Sequence, residues 1–185
     1  VIVTPCPGGV TAIDPHPQTD ARGSFMRLFC AERFAAHGLP TAFAQVNLST
    51  NGRRGTLRGL HHQAAPHAEG KLVQCVRGAI FDVAVDIRAD SPRFGCWTGM
   101  VLSAANRRAV FIPPGFAHGF QTLEDDSDVL YAMTEPYHPE LARGLAWNDP
   151  AFGIVWPLEQ PILSPRDAAL PRTGQLSLAQ SVGIA

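Results

Sequence analysis

Short apolar runs recur along the chain, separated by glycine, proline and small polar clusters. Segments 71–77 (KLVQCVR), 79–88 (AIFDVAVDIR), 97–102 (WTGMVL), 108–112 (RAVFI) and 128–133 (DVLYAM) have the length and the β-branched or aromatic content of strands. Within 79–88, Phe81, Val83, Val85 and Ile87 alternate with Asp82, Ala84 and Asp86. That period of two marks a half-buried strand and assigns Asp82 and Asp86 to its polar face as structural residues. Turn signals fall between the runs: RG at 77–78, ADSPRFG at 89–95, SAANR at 103–107, PPG at 113–115 and EDDSD at 124–128. Only 31–37 (AERFAAH), closed by Gly38, reads as a helix, and 171–185 is polar and unpatterned, a short helix or loose end. Many short strands with close turns predict an antiparallel sandwich or small barrel whose interior can hold a ligand. A Rossmann fold is excluded, because no GxGxxG follows a strand and helices do not alternate with strands.

Composition narrows the picture. A length of 185 residues suits one domain with its own core, and 45% hydrophobic with 17% charged residues is a globular balance. A formal charge of −1 argues against a nucleic-acid binder. No apolar run approaches the length of a membrane span, and VIVTPCPGGV lacks a signal-peptide layout, so the expectation is a cytoplasmic protein away from membranes. Cys6, Cys30, Cys75 and Cys96 have no CxxC spacing and read as free thiols. Fourteen of the fifteen basic residues are arginine, which singles out Lys71 as the one position with a compact ammonium.

Lys71 lies in RGLHHQAAPHAEGKLVQCVRG, residues 58–78, with three of the seven histidines and Glu69. Two chemistries compete here. A metal-dependent cupin would use paired histidines with a later one in a turn such as PPGFAH at 113–118. Adjacent His61 and His62, however, point to opposite faces of a regular strand, and Lys71 repels a cation. A histidine base with a supporting carboxylate, an ammonium to hold an enolate oxygen and a tyrosine acid is the toolkit of an epimerase. Tyr131 in a strand and Tyr137 in a loop are the two tyrosines available. His67 and Glu69 read as a loop or lid without a catalytic part, and Trp147 and Trp156 as packing.

The chain resembles the dTDP-4-dehydrorhamnose 3,5-epimerases and related sugar-nucleotide epimerases. The resemblance rests on RGLHHQ at 58–63, GKLV at 70–73, RGAIFDVAVDIR at 77–88, SPRFG at 91–95, IPPGFAHGF at 112–120, LY at 130–131, WNDP at 147–150 and LSPRD at 163–167, in order from about residue 10 to 171. It implies an all-β, cupin-type jelly-roll barrel with a few short helices, a single domain over 1–185 with an N-terminal arm to about residue 30, and a homodimer. It implies no metal and no organic cofactor, and a dTDP-linked 4-keto-6-deoxyhexose as substrate. A mono-epimerase acting at C3 or C5 alone, a ketoisomerase, and GDP- or CDP-linked sugars are its nearest alternatives.

The same resemblance makes His61 the base, Asp167 its carboxylate partner, Lys71 the enolate stabiliser and Tyr131 the acid. Arg22, Gln45, Asn47, Arg58, His118 and Arg166 match positions that hold the nucleotide diphosphate or the sugar. His62 stands where the family usually has an aromatic residue, and reads as packing or a substrate contact. Arg27 and Ala142 stand where family members often carry glutamate, which bears on substrate identity. Taken alone, Asp167 is also a helix N-cap candidate for RDAAL. Strict alternation sets Arg58 and His61 on opposite faces, and Gly59 between them is the place for a bulge that brings them together.

Overall fold

In the computed structural model, which describes residues 2–175, the chain opens with β1 (Ile2–Pro5) and β2 (Thr11–Asp14). A small hairpin of β3 (Gln18–Asp20) and β4 (Gly23–Phe25) precedes helix α1 (Ala31–Ala35). Then come β5 (Gln45–Asn51), β6 (Leu57–Gln63), β7 (Lys71–Arg77), β8 (Ala79–Asp86) and β9 (Trp97–Ser103). The series ends with β10 (Ala109–Ile112), β11 (Phe116–Thr122), β12 (Ser127–Met133), β13 (Ala142–Gly144) and helix α2 (Pro165–Ala168). Six strands form one sheet in the order β1-β2-β10-β7-β12-β5, and five form a second in the order β13-β6-β11-β8-β9. The expected jelly roll is what forms, as two antiparallel sheets face to face. Of the arm expected to about residue 30, β1 and β2 are strands of the larger sheet, and β3 and β4 pair only with each other. Residues 176–185 of the expected tail lie outside the described residues.

Three apolar clusters hold the sheets. Val73, Val110, Ile112 and Val129 from one sheet meet Ile80, Ala84, Leu102, Phe116 and Phe120 from the other. Behind the five-stranded sheet, Val83, Val85, Ile87 and Leu60 are covered by Leu145, Phe152 and Trp156. Behind the six-stranded sheet, Ile13, Ala109 and Phe111 are covered by Phe34 of α1 and by Leu39. Five residues are too few for an independent helix, so α1 depends on this packing, with burial of Phe34 contributing about 2–3 kcal/mol.

This arrangement corrects the half-buried reading of β8. Phe81, Val83, Val85 and Ile87 do pack, but under the C-terminal covering layer on the outside of the sheet. Ile80 and Ala84 of the other face join the core between the sheets, and Asp82 on that face is only 2% exposed. Both faces are buried, so the polar side of the alternation points into the barrel.

The bulge is present. Opposite β11, His118 pairs with His61 and Phe120 with Arg58, so β6 spends one more residue than its partner over this stretch. Gly59 sits in the extra position at φ +132°. A Cβ there would lie 2.5 Å from the Gly119 Cα and 2.9 Å from the His118 carbonyl oxygen. Gly59→Ala should therefore lose about 2–4 kcal/mol by urea denaturation, from the backbone conformation and the inter-strand clash together. Gly52→Ala, which meets nothing within 4 Å, should stay within about 0.5 kcal/mol of wild type.

Candidate active site

At one end of the barrel the inward positions become polar and line a cleft of about 510 Å³. The five-stranded sheet supplies Arg58 and His61 from β6 and His118 from β11. The six-stranded sheet faces them with Gln45 and Asn47 from β5, Lys71 from β7 and Tyr131 from β12. Arg166 from α2 completes the set matched from the sequence.

His61 Nε2 lies 2.8 Å from Asp167 Oδ1. The Asp167 carboxylate also accepts a hydrogen bond from the Gly59 N–H at 3.4 Å, which ties it to the bulge. Asp167 does not cap α2. Ser164 is the cap, its hydroxyl accepting from the Asp167 N–H at 3.0 Å, and this frees the carboxylate for the histidine. With Nε2–H given to Asp167, the other ring nitrogen keeps its lone pair. Burial lowers the His61 pKa, Asp167 opposes that fall, and Lys71 and His118 add to it, so the ring is neutral near pH 7 and ready to accept a proton.

Lys71 Nζ donates to the His61 carbonyl oxygen at 3.1 Å and lies 3.0 Å from Glu69 Oε1. Glu69 thus belongs to the cleft wall, not to a loop apart from the chemistry as its sequence context indicated. Tyr131 is held protonated: burial raises its pKa, Arg58 pulls it down and Glu69 pushes it up. Arg58 Nε donates to Asn51 Oδ1 at 2.7 Å, while the Asn51 amide N–H groups go to the Ser49 and Ser127 carbonyls. His118 Nε2 lies 2.8 Å from Asp82 Oδ2, so the buried acid of β8 orients a cleft residue. Alternation alone had marked Asp82 as structural; the missing signal was a partner on β11, which lies far off in sequence.

Arg22 is not brought to the cleft. It is exposed on the β3–β4 hairpin and paired with Asp20 at 2.7 Å, because that hairpin stands off both sheets. Arg27 lines a separate hollow beside α1, whereas Ala142 of β13 does line the cleft. Trp156 packs on Phe81 and donates its indole N–H to the Trp147 carbonyl at 2.9 Å, in keeping with a packing role. Among the described residues, no three or more His, Cys, Asp or Glu side chains are grouped to hold a metal ion. The four cysteines are free thiols.

A family model described as dTDP-4-dehydrorhamnose 3,5-epimerase matches residues 7–175. The chain belongs to this epimerase family. It is 52% identical over 151 residues to the dTDP-4-dehydrorhamnose 3,5-epimerase of Methanothermobacter thermautotrophicus, covering 82% of this chain and 80% of that protein. The dTDP-4-dehydrorhamnose 3-epimerase of Streptomyces niveus is 43% identical, over 86% of this chain and 77% of its own. The crystal structure of a family member from Legionella pneumophila, in complex with dTDP-4-keto-L-rhamnose, superposes with a TM-score of 0.91 at 41% identity, covering 97% of this chain and 96% of the other.

The residue after His61 is His62, 8% exposed, and among the described residues its buried Nδ1 has no partner. Burial, then the charges of Lys71, Arg143 and His61, push its pKa down from 6.5 to about 4. Below pH about 6.5 the unfolded chain binds a proton that folded His62 refuses, so stability is complete above that pH and falls as pH drops toward about 4. The loss attributable to His62 is on the order of 3 kcal/mol. His62→Phe should flatten this dependence in urea unfolding measured between pH 7 and pH 4.5. Comparison with wild type cancels the share of His61, whose pKa moves the same way. Parallel profiles for the two proteins would refute the assignment.

Proposed function

We propose that the protein epimerises a dTDP-linked 4-keto-6-deoxyhexose at C3 and C5 by removing and returning protons beside the C4 carbonyl. The observation that carries this reading is the placement of His61, backed by Asp167 of α2, on one sheet and Tyr131 on the facing sheet, with Lys71 in the same cleft. A carbon beside a ketone is acidic enough for a neutral imidazole only if the developing enolate oxygen meets a positive donor. His61 takes the proton, Lys71 donates to the C4 oxygen, and Tyr131 gives a proton to the opposite face of the same carbon. Inversion needs that opposition. A base and an acid on one wall would only return the original configuration.

Arg58 and Arg166 bring fixed positive charge for the diphosphate, and Gln45, Asn47 and His118 offer hydrogen bonds to the nucleotide or sugar. The activities of the named relatives support a dTDP carrier. The Streptomyces niveus 3-epimerase keeps inversion at a single centre as the second reading. Ala142 leaves the wall of β13 without an acid, which changes the room around the ligand but none of the groups that move protons. Metal has no step to perform in this scheme. No helix among the described residues is long and apolar enough to cross a membrane. Four free thiols agree with a cytoplasmic location, and the chain works as one domain.

The test is deuterium exchange. With dTDP-4-keto-6-deoxyglucose in D₂O, NMR should show deuterium entering C3 and C5 with inversion, at the same rate with or without EDTA. His61→Asn should lower the exchange rate by about 10²–10⁴-fold. Tyr131→Phe should suppress inversion more than exchange, because proton removal still occurs. Exchange at C3 alone would select the mono-epimerase, and chelator-sensitive exchange would refute the metal-free scheme.

We also propose a homodimer through the β5 edge. β5 ends the six-stranded sheet, and its outward Val46 and Leu48 are 61% and 59% exposed. An apolar edge strand left open invites pairing, and a second copy of the chain covers it without a dedicated partner. Light scattering should give twice the chain mass. The double variant Val46→Lys and Leu48→Glu should shift it toward the monomer.

A further inference from the structure

We propose that Glu69 is a substrate-binding acid of this cleft, which accepts the hydroxyl next to the sugar's carbonyl while it aims Lys71 at the carbonyl oxygen. The inference rests on the epimerase reading above and assigns a part to a residue outside the matched set. An ammonium has three N–H donors. Lys71 gives one to the His61 carbonyl and rests 3.0 Å from Glu69 Oε1 as an ion pair, which leaves N–H donors for substrate. Glu69 is 9% exposed and lines the cleft, and its contact to Lys71 runs through one carboxylate oxygen, Oε1. A carboxylate in the wall of a cleft is a ready acceptor for a ligand hydroxyl, and a hydrogen bond to a charged group is among the stronger ones.

The substrate carries the complementary pair. In a 4-ketohexose, the carbonyl oxygen at C4 is an acceptor and the neighbouring hydroxyl at C3 is a donor. Lys71 and Glu69, in contact at 3.0 Å, present donor and acceptor side by side in the same order. The carboxylate is rigidly placed. The next residue, Gly70, donates its N–H to the Thr134 hydroxyl at 2.7 Å and accepts from the Thr134 N–H at 2.9 Å. Two residues earlier, the His67 carbonyl accepts from Gln63 Nε2 at 2.7 Å, and the same amide reaches Pro136 O at 3.0 Å. Glu69 also holds the Tyr131 phenol up, after burial and against Arg58, which sets it in the same chamber as the acid.

Glu69→Gln keeps the shape and the contact to Lys71 but replaces a charged acceptor by a neutral one. It is to be assayed by deuterium exchange on two substrates, the parent 4-keto sugar and an analogue with hydrogen in place of the C3 hydroxyl. dTDP binding, measured by calorimetry, serves as a fold control. On the parent, Glu69→Gln should lower kcat/KM about 10- to 100-fold, the range for a lost hydrogen bond to a charged group. On the deoxy analogue the variant and wild type should agree within about threefold, and dTDP should bind both alike. Glu69→Asp, which keeps the charge but draws it back, should fall between them and serves if the glutamine variant does not fold. Equal losses on both substrates would leave Glu69 only an anchor for Lys71 and overturn the proposal. Undiminished turnover of the parent sugar would also overturn it. Absence of exchange in wild type would instead refute the epimerase reading itself.

Discussion

Four ionisable groups that face the cleft each have a partner fixed behind them, and the arrangement of the site depends on that constraint. A charge removed from water and left alone costs several kcal/mol, enough to shift its ionisation or displace the strand that carries it. His61 is backed by Asp167, His118 by Asp82, Lys71 by Glu69 and Arg58 by Asn51. Each partner lies on a different segment from the group it serves or two residues from it along the chain. The pairs therefore act as cross-links as well as electrostatic supports. Asp167 links α2 to the Gly59 bulge of β6, and Asp82 links β8 to β11. A site held in this way keeps its donors and acceptors oriented before substrate enters, which is what electrostatic stabilisation of an enolate requires.

The strands that sequence periodicity revealed are those with ordinary packing. The segments read as strands at 71–77, 97–102, 108–112 and 128–133 match β7, β9, β10 and β12 within a residue at either end. The strands that build the site were harder to see for a physical reason. On β5, Gln45, Asn47, Ser49 and Asn51 turn inward while Val46 and Leu48 face out, the reverse of the usual rule. On β11 every residue from Phe116 to Thr122 is buried, so no polar face remains to set a period. Single-strand patterns record burial against water, and here the ligand's space takes the place of water inside the barrel.

The residues proposed for catalysis were legible only through motifs. His61, Lys71 and Tyr131 are singly unremarkable in sequence, and Asp167 resembles a helix cap until Ser164 is seen to do that job. Glu69 and Asp82 were invisible because their meaning lies in contacts to Lys71 and His118, not in local spacing. Arg22 is the converse. Its motif matched, but the β3–β4 hairpin that carries it pairs with neither sheet, so one chain alone does not bring it to the cleft.

Filling one end of a barrel with His, Lys, Arg and Tyr removes apolar contacts that a sandwich of this size would ordinarily use. The compensation lies outside the barrel. Val83, Val85, Ile87 and Leu60 are sealed by Leu145, Phe152 and Trp156 on one side, and Phe111 and Ile13 by Phe34 and Leu39 on the other. Buried Gln121 reinforces the first seal, since its amide exchanges hydrogen bonds with both the N–H and the carbonyl of Leu158. The C-terminal third of the chain thus has two linked tasks: it covers the outer face of the five-stranded sheet, and it delivers Asp167 to His61. The covering layer that adds apolar burial outside the barrel is also the layer that sets a carboxylate behind the strand histidine His61.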